Sequence, residues 1–590
     1  MRRDPGRLSE KEYDLVVVGG GIFGICTAYD AAQRGLSVAL LEKGDFAHAT
    51  SANSFKIVHG GIRYLQHGDL RRLRESVRER RTFLRIAPHL VEPLPIVIPT
   101  YGYGAKGKPV LAAGLTLYDV LAFDRNRGIR DPRRRIPRGR FLSREEVLEL
   151  FPGLPKPGLT GAGLFYDAQM YNPTRLALAF LCGATRNGAD AANYVEVTGF
   201  IQEGGRVRGV EAVDRFSGER IEIRAKVVVN AAGPWAAGLL ARMTGGRSVP
   251  PLTFSRDACF VVRRRLSEHP FSLAVSGKTR DPDTIVSRSA RHLFIVPWRE
   301  FTLVGVWHKV HRGSPDDVAL TRSEVQDFVD EINWSYPGLG LGLEDISMLN
   351  FGLVLFGENE PGAVDLRYGK RSELIDHARQ EALEGLVTLV GVRYTTARGV
   401  AEDATDLVFR KLGRPAPRCM SGVTPVPGGD ITDFDGFLRS ARTAAPPGLG
   451  EKTMVRLARN HGTEYAHLLR YGEEDTRWLE QLPGSRVIRA EVRHAVSQEM
   501  AVKLADVVFR RTDLGTGGHP GRAALRACAE IAGGVLGWDE EKIDAELADV
   551  EARLSAMTPT GGSPQHTPPT GRSSLGAPVT DSADAPEILP

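Results

Sequence analysis

The fold of this chain is decided by Tyr13-Asp-Leu-Val-Val-Val-Gly19-Gly20-Gly21-Ile22-Phe23-Gly24. A short apolar run leads directly into a Gly-x-Gly-x-x-Gly pattern, and the residues that follow, 25–33, are compatible with a helix. A second apolar run over 38–42 ends in the acidic residue Glu42. The order of strand, glycines, helix, strand and acidic end is typical of a βαβ unit that binds a dinucleotide.

Each part of this unit has a role in holding such a ligand. Gly19 permits the tight turn, Gly21 lets the backbone approach the pyrophosphate, and Gly24 allows the helix to pack closely on the strand. The pyrophosphate would lie at the helix N-terminus, where N–H groups and the helix dipole favour negative charge. Glu42 is predicted to accept hydrogen bonds from the ribose hydroxyls. Because the first strand begins as early as Tyr13, we expect the ligand to be FAD and not NAD.

Size and composition limit what the chain can be. Its 590 residues favour roughly two or three domains. A net charge of +5 is too small to indicate nucleic-acid binding. Five cysteines without a CxxC pair disfavour a metal site or a disulfide framework and fit free thiols in a reducing compartment. Apolar stretches stay shorter than the roughly 20 residues that span a bilayer, so we expect a cytoplasmic protein without a transmembrane segment.

Strand-like apolar runs next to glycine recur far apart along the chain, at 15–18, 38–42, 227–230 and 386–390. They indicate one α/β domain assembled from separated segments, with other material inserted between them. From 433 to 554 helical periodicity dominates, with an apolar face over 486–511. This region is predicted to be a separate helical domain. The segment 71–81, with basic and acidic residues at helical spacing, is predicted to be a solvated helix face.

A family resemblance appears after the first βαβ unit. Residues 49–65 read Ala-Thr-Ser-Ala-Asn-Ser-Phe-Lys-Ile-Val-His-Gly-Gly-Ile-Arg-Tyr-Leu, and Ala87-Pro88-His89-Leu90 follows. Both resemble the signature of FAD-dependent glycerol-3-phosphate dehydrogenases, and the resemblance covers about residues 12–555. It implies oxidation of glycerol 3-phosphate to dihydroxyacetone phosphate, with electrons passed to quinone or another acceptor. It also implies a peripheral membrane enzyme of glycerol metabolism.

The resemblance implies an α/β fold in three parts. A Rossmann-like FAD-binding domain carries an inserted α+β substrate domain and is followed by a C-terminal helical domain. The predicted bounds are 12–78, 157–240 and 363–413 for the FAD-binding domain, 79–156 and 241–362 for the substrate domain, 420–556 for the helical domain and 557–590 for a disordered tail, which is rich in Pro, Gly, Ser and Thr.

The resemblance also assigns cofactor contacts. Val197 is expected against the adenine, and Ala232 and Gly233 near the diphosphate. A helix N-terminus after Gly391 would face the flavin pyrimidine and stabilise negative charge on the reduced flavin. The residues predicted to bind FAD are Gly19, Gly21, Gly24, Glu42, Thr50, Ser51, Ser54, His59, Gly60, Gly61, Val197, Ala232, Gly233, Gly391 and Thr395.

Hydride transfer to a flavin requires a fixed substrate anion and an acceptor for the hydroxyl proton. The anion is predicted to be held by Arg63, Arg371 and Arg393, with Tyr64 beside them. His59 and His308 are the candidates for the proton, so the predicted catalytic set is His59, Arg63, Arg393 and His308. Two alternatives stay open: His59 contacts only the flavin, or His308 is an exposed strand residue.

The substrate half departs from the family pattern. Val354 stands where the family has the arginine of a Gly-Val-Arg-Pro run, Cys259 stands where a histidine is expected, and Arg393 replaces a lysine. A lost charge-assisted contact costs roughly 1.5–3 kcal/mol. Two alternatives to glycerol 3-phosphate oxidation therefore stay open. The enzyme acts on a different polyol phosphate, hydroxy acid or amino acid, or the protein is a catalytically decayed flavin-binding scaffold.

Residues 110–140 join a semi-apolar segment to a loop with eight arginines and one acid, Asp131. An apolar helix beside a polybasic loop suits docking on an anionic membrane surface, at about 1 kcal/mol per basic residue. The alternative is an exposed basic loop. We therefore expect a cytoplasmic protein that is peripheral on the inner face of the cell membrane, and a homodimer is also considered.

Overall fold

A computed structural model of the protein describes residues 1–102, 107–244, 253–280, 290–355, 372–381 and 383–559. Two β-sheets and a helical C-terminal region make up these ranges. The strands are β1 (Tyr13–Val18), β2 (Val38–Leu41), β3 (Ile57–Val58), β4 (Val91–Tyr101), β5 (Arg140–Leu142), β6 (Leu159–Met170), β7 (Asp190–Ala192), β8 (Val195–Glu203), β9 (Arg206–Asp214), β10 (Arg220–Asn230), β11 (Phe254–Val262), β12 (Ser272–Arg280), β13 (Ala290–Trp298), β14 (Phe301–His311), β15 (Ile346–Leu355), β16 (Glu373–Asp376) and β17 (Leu386–Val390).

The α-helices cover both sheets in the first part of the chain and make up most of the C-terminal region. They are α1 (Ile22–Gln33), α2 (Leu70–Ile86), α3 (Lys108–Leu121), α4 (Arg144–Leu150), α5 (Pro173–Arg186), α6 (Ala236–Thr244), α7 (Arg322–Ser335), α8 (His377–Glu381), α9 (Ala397–Lys411), α10 (Phe434–Thr443), α11 (Glu451–His461), α12 (Tyr465–Leu469), α13 (Tyr471–Glu474), α14 (Arg489–Gln498), α15 (Leu504–Asp506), α16 (Arg522–Leu536) and α17 (Glu540–Ala556). Among these described helices, none is both long and apolar enough to cross a bilayer.

The first sheet is built around β1. Its strand order is β16-β17-β10-β1-β2-β7, with β9 attached to β10 and β8 to β9. β1 pairs in parallel with β10 on one side and β2 on the other, and β17 continues in parallel beside β10. All six residues of β1 are buried, because α1 packs with α5 and α9 over this sheet. The prediction that four distant apolar runs form one α/β sheet is therefore confirmed.

The second sheet has the order β15-β11-β14-β13-β12-β4-β6-β3, with β5 beside β6. Two of its strands, β3 and β6, lie in ranges predicted for the FAD-binding domain. In the structure, β6 pairs along its length with β4, and β3 pairs with β6. The domain bounds stay predictions.

The C-terminal region is helical, as predicted, but the apolar face over 486–511 is not one helix. α14 ends at Gln498, and the chain turns at Met500, which has a φ of +58°. The short α15 and a π-helical turn, Val507–Arg511, follow. The end of the region is tied to the second sheet, where the Leu349 N–H donates to the carbonyl of Met557 at 2.7 Å. Of the predicted tail, residues 560–590 lie outside the described residues.

Candidate active site

A cavity of 1090 Å³ lies between the two sheets and is lined by residues from both. Most of the residues predicted to bind FAD are brought together in its wall, although Gly24 and Gly60 are not part of the lining. Those in the wall are Gly19, Gly21, Glu42, Thr50, Ser51, Ser54, His59, Gly61, Val197, Ala232, Gly233, Gly391 and Thr395.

The glycine turn after β1 has the conformation that the sequence predicts. Gly19 has a φ of +103°, and a Cβ there would lie 2.6 Å from the carbonyl oxygen of Ala231. A Cβ at Gly24 would collide with the carbonyl oxygen of Gly19, which explains why α1 approaches the end of β1 so closely. Gly21 is the N-cap of α1. The turn therefore presents the N-terminus of α1 to the cavity, as a pyrophosphate site requires.

Two predicted cofactor residues also stabilise this turn. The Glu42 carboxylate accepts from the N–H of Gly20 at 2.7 Å and from the N–H of Gly44 at 2.8 Å. The Ser51 hydroxyl accepts from the N–H of Ile22 at 3.0 Å, in the first turn of α1. Both side chains line the cavity, so the residues that shape the turn are the ones that a dinucleotide would meet.

Three further features of the cavity wall fit a bound FAD. The Ser54 hydroxyl is buried and has no hydrogen-bond partner among the described residues, although buried hydroxyls are normally satisfied. A Cβ at Gly391 would collide with the ring of Phe23, so this segment comes close to the start of α1. Thr395 accepts from the backbone N–H of His59 at 3.0 Å, which joins the two predicted cofactor segments.

Three of the predicted substrate residues, Arg63, Tyr64 and Arg393, line the same cavity. Arg393 Nη1 donates to the Tyr64 hydroxyl at 2.8 Å, and Nη2 lies 3.4 Å from a carboxylate oxygen of Glu75. The Tyr64 ring lies between two guanidinium groups, 4.9 Å from that of Arg393 and 4.7 Å from that of Arg72. Tyr64, Arg72 and Arg393 therefore form a positively charged corner of the cavity. The fourth predicted residue, Arg371, lies outside the described residues.

His308 is not an exposed strand residue, because its side chain is 11% exposed and lies in the cavity wall. Its Nδ1 is 2.7 Å from Oδ1 of Asp257, which also accepts from the Ser255 hydroxyl at 2.6 Å. The pairing of β11 with β14 sets Asp257 opposite His308. The sequence did not single out Asp257, because nothing local indicates which strands pair.

The second candidate histidine, His59, has a side chain that is 46% exposed, with Nδ1 3.6 Å from the buried Asp167. Asp167 also accepts from the N–H of Gly60 at 2.5 Å and pairs with Arg80 at 3.2 Å. Burial alone would raise the pKa of Asp167, but the nearby His59 imidazole and the charge of Arg80 lower it below its usual value. Arg80 is fully buried, so the prediction of a solvated helix face over 71–81 is wrong at this residue.

Val354 lies on β15, opposite Ser255 of β11, and lines the cavity. The position at which the family pattern has an arginine therefore does face the site. Cys259, Val306 and Phe294 line the same cavity. In place of a guanidinium, this part of the wall presents apolar and thiol groups.

Comparison with known proteins gives consistent matches. The model of the family described as "FAD dependent oxidoreductase" matches residues 14–406, and that described as "C-terminal domain of alpha-glycerophosphate oxidase" matches 419–543. The glycerol-3-phosphate dehydrogenase of Synechocystis sp. is 31% identical over 558 residues, which cover 93% of this chain and 97% of that protein. The aerobic glycerol-3-phosphate dehydrogenase of Staphylococcus haemolyticus is 30% identical over 517 residues, which cover 86% and 87%.

A solved structure resembles most of the chain. It is the glycerol-3-phosphate dehydrogenase from Bacillus halodurans complexed with FAD, with a TM-score of 0.73 and 25% sequence identity. The alignment covers 94% of this chain and 96% of that one. The likeness thus includes both sheets and the helical C-terminal region.

Proposed function

Because the chain belongs to the family of FAD-dependent glycerol-3-phosphate dehydrogenases, we propose that it oxidises glycerol 3-phosphate to dihydroxyacetone phosphate. The observation that carries this proposal is the corner formed by Arg72, Tyr64 and Arg393 in the predicted FAD cavity, which Arg63 also lines. When bound there, FAD supplies the acceptor for the substrate hydride. The electrons then pass to quinone or another acceptor.

The residues of the chain have separate tasks in this reaction. Arg63 and Arg393 bind the phosphate and orient the carbinol carbon. His308, fixed by Asp257, accepts the hydroxyl proton. His59 remains the alternative acceptor, because it also lines the cavity. Gly21 and Ser51 hold the cofactor diphosphate at the start of α1, and the segment from Gly391 to Thr395 holds the flavin end.

The test is anaerobic titration of the purified protein with glycerol 3-phosphate. We expect a yellow protein whose flavin absorbance bleaches at saturating substrate, while glycerol and inorganic phosphate leave it unchanged. A flavin that stays oxidised at high glycerol 3-phosphate, yet is reduced by dithionite, would rule the proposal out.

A second candidate is supported by Val354, which removes one cation from the site. An enzyme of the same fold with this wall would act on a different polyol phosphate, a hydroxy acid or an amino acid. The same anaerobic assay distinguishes them, because only the true substrate bleaches the flavin at low concentration. A catalytically decayed scaffold would keep FAD oxidised with every member of the panel.

We also propose that α3 and the loop after it contact an anionic membrane surface on the cytoplasmic side, where quinone is available. Among the described residues of this segment, four large apolar side chains are exposed, Val110, Leu117, Val120 and Phe123, with Phe123 79% exposed. Such an exposed apolar set is typical of an interfacial helix. Arg125 and Arg134 are buried and belong to the fold. The exposed arginines of the loop are 127, 130, 133, 135, 138 and 140.

Co-sedimentation with vesicles tests this contact. We expect binding to phosphatidylglycerol vesicles and much less to phosphatidylcholine vesicles, with binding weakened by salt. A variant with Leu117, Val120 and Phe123 changed to serine should lose binding, whereas Val535→Ser, at another exposed site, should not. Equal sedimentation of wild type and triple variant would contradict the proposal. The predicted homodimer is tested separately by light scattering.

A further inference from the structure

A second, smaller cavity of 90 Å³ lies where three parts of the chain meet. It is lined by His48 and Asn53 from the loop that carries the predicted cofactor residues, by Trp298 and Asn350 from the second sheet, and by residues of the C-terminal region. Lys56 also lines it. His48 and Asn53 line the large cavity as well, so one loop separates the two.

In the part of the chain that the structure describes, Lys56 is a buried cation without an anionic partner in this cavity. It is 3% exposed, and its Nζ makes one long hydrogen bond, to the carbonyl of Ser54 at 3.4 Å. The ammonium also lies 4.9 Å from the centroid of the Trp298 ring. Within the described ranges, no carboxylate lines the cavity. Lys56 has a φ of +61°, a backbone conformation that non-glycine residues rarely adopt.

A second donor lies in the same wall. Asn350 is 3% exposed, and its Nδ2 has no hydrogen-bond acceptor in the part of the chain that the structure describes. Buried amide groups are normally paired, so an acceptor is required at this position. The cavity thus offers the N–H groups of an ammonium and of an amide.

The other charged groups around Lys56 are already neutralised or are cationic. Arg510 pairs with Asp45 and Asp506, and Arg553 pairs with Asp549 at 3.0 Å. His48 donates from Nδ1 to the carbonyl of Asp45 at 2.8 Å. Among the described residues, Lys56 is thus left as the uncompensated charge of this cavity.

Burial, with a smaller contribution from the charge of Arg299 and against the opposing effect of the Cys259 thiol, lowers the pKa of Lys56 to about 8. The lysine is therefore mostly charged at neutral pH and loses its charge in mildly alkaline solution. A bound anion would favour the charged form, so anion binding should weaken as the pH rises above about 8.

We propose that this cavity binds a small monovalent inorganic anion of the chloride type, held between Lys56 Nζ and Asn350 Nδ2. The ligand must accept hydrogen bonds from both donors and compensate one positive charge, and a halide does both. Since His48 and Asn53 belong to the loop that carries Ser51, the bound anion stabilises the wall of the cofactor cavity. The effect is on stability and FAD retention and requires no particular substrate.

Bromide replacement locates the anion directly. Crystals of the FAD-bound protein grown in sodium bromide should show an anomalous peak in contact with Lys56 Nζ and Asn350 Nδ2. In solution, the unfolding midpoint should rise by about 1–3 °C when sodium chloride replaces sodium gluconate at equal ionic strength and pH 7. The difference should disappear at pH 9.5, where Lys56 is mostly neutral.

Lys56→Met keeps the apolar stem and removes the charge, and the exposed Lys452→Met is its matched control. We expect the bromide peak and the chloride effect to be lost in the first and kept in the second. If the Lys56→Met variant does not fold, the bromide crystals and the chloride–gluconate comparison of the wild-type protein decide whether the anion is bound. A cavity that contains only water in bromide crystals, or equal unfolding midpoints in chloride and gluconate, overturns the proposal.

Discussion

Arg511 and Asp45 form a fully buried ion pair that joins the C-terminal helical region to the loop after β2. Both side chains are 0% exposed, and the two guanidinium contacts measure 2.5 and 2.7 Å. Arg510 contacts the same carboxylate, and Asn193 donates to it at 3.0 Å. This loop begins next to Glu42 and leads to Ser51, so the C-terminal region holds in place a wall of the predicted cofactor cavity.

Asp45→Asn should destabilise the protein by about 3–5 kcal/mol, because it leaves the buried Arg511 charge without its partner and removes one of the two carboxylates that Arg510 contacts. FAD should also be released more easily, since the loop that carries Ser51 loses its anchor. Thermal unfolding and flavin fluorescence measure the two effects. Glu530→Gln removes a carboxylate from an exposed ion pair and should change neither. An Asp45→Asn variant that unfolds at the wild-type temperature would show that the pair is not an anchor.

Arg393→Ala should raise KM for glycerol 3-phosphate by about one to two decades, the value of one charge-assisted contact. Arg393→Lys should recover only part of this, because a single ammonium cannot reproduce both the Tyr64 and Glu75 contacts. Steady-state kinetics with an artificial electron acceptor measure the change, and the flavin spectrum serves as the control for FAD content. An unchanged KM in Arg393→Ala would remove this residue from the phosphate site.

Val354→Arg should lower KM for glycerol 3-phosphate by about tenfold, since it returns one guanidinium to a wall that faces the cavity. Val354→Ile keeps the apolar character and should leave KM nearly unchanged. The comparison is made on FAD-saturated protein in the anaerobic bleaching assay. If the arginine variant instead loses activity toward the native substrate, the second candidate function is favoured.

His308→Asn should lower kcat by about 10²–10⁴-fold if this residue accepts the proton. Asp257→Asn should give a smaller loss with a shifted pH–rate profile, because Asp257 acts through the orientation of His308. His59→Asn, made in parallel, decides between the two histidines. A His308→Asn enzyme with the wild-type pH profile and rate, beside an inactive His59→Asn enzyme, would reverse the assignment.

Acid should destabilise the C-terminal region through Glu491, which accepts from Arg456 at 2.8 Å. Burial alone would raise the pKa of Glu491, but the charge and hydrogen bonds of Arg456, together with the nearby His461, lower it to about 2. A carboxyl group whose pKa is lowered in the folded state stabilises the fold at pH values above its unfolded pKa of about 4.3. This stability is lost as the pH falls toward 2. The unfolding midpoint between pH 6 and pH 3 measures it.

The Glu491→Gln variant should have a lower unfolding midpoint than the wild type at pH 6. Its midpoint should also fall less than that of the wild type between pH 6 and pH 3. The exposed Glu480→Gln should follow the wild-type curve. Parallel curves for Glu491→Gln and wild type would show that another carboxylate controls acid stability.

The sequence predicted the parts of the site that depend on local pattern. The turn from Gly19 to Gly24 requires only neighbouring residues, so its geometry could be read directly. The Asp45–Arg511 pair joins residues 466 apart in the chain, and no local signal indicates it. Asp257 could be identified as the partner of His308 only from the pairing of β11 with β14. Arg80 looked solvated because charge at helical spacing does not reveal which side of a helix is covered.

The helical region shows the same limit. The apolar face over 486–511 correctly predicted helical structure, but the turn at Met500 divides this segment into separate helices. That turn leads into the π-helical segment that carries Arg510 and Arg511 toward Asp45. A periodicity argument cannot detect such a break, because the apolar spacing continues through it.

The strand order of the first sheet has a consequence for biosynthesis. β1 leaves the ribosome well before its parallel neighbour β10, which begins at Arg220. β17, which pairs with β10, begins only at Leu386. The first sheet therefore cannot be completed until all of these strands have been synthesised. Long-range pairings of this kind form slowly and leave apolar strands exposed to aggregation. Arg510 and Arg511 emerge later still. The glycine turn after β1 is therefore synthesised long before the contacts of Arg510 and Arg511 with its neighbouring loop can form. The need for chaperones during synthesis should fall once residue 511 has been translated.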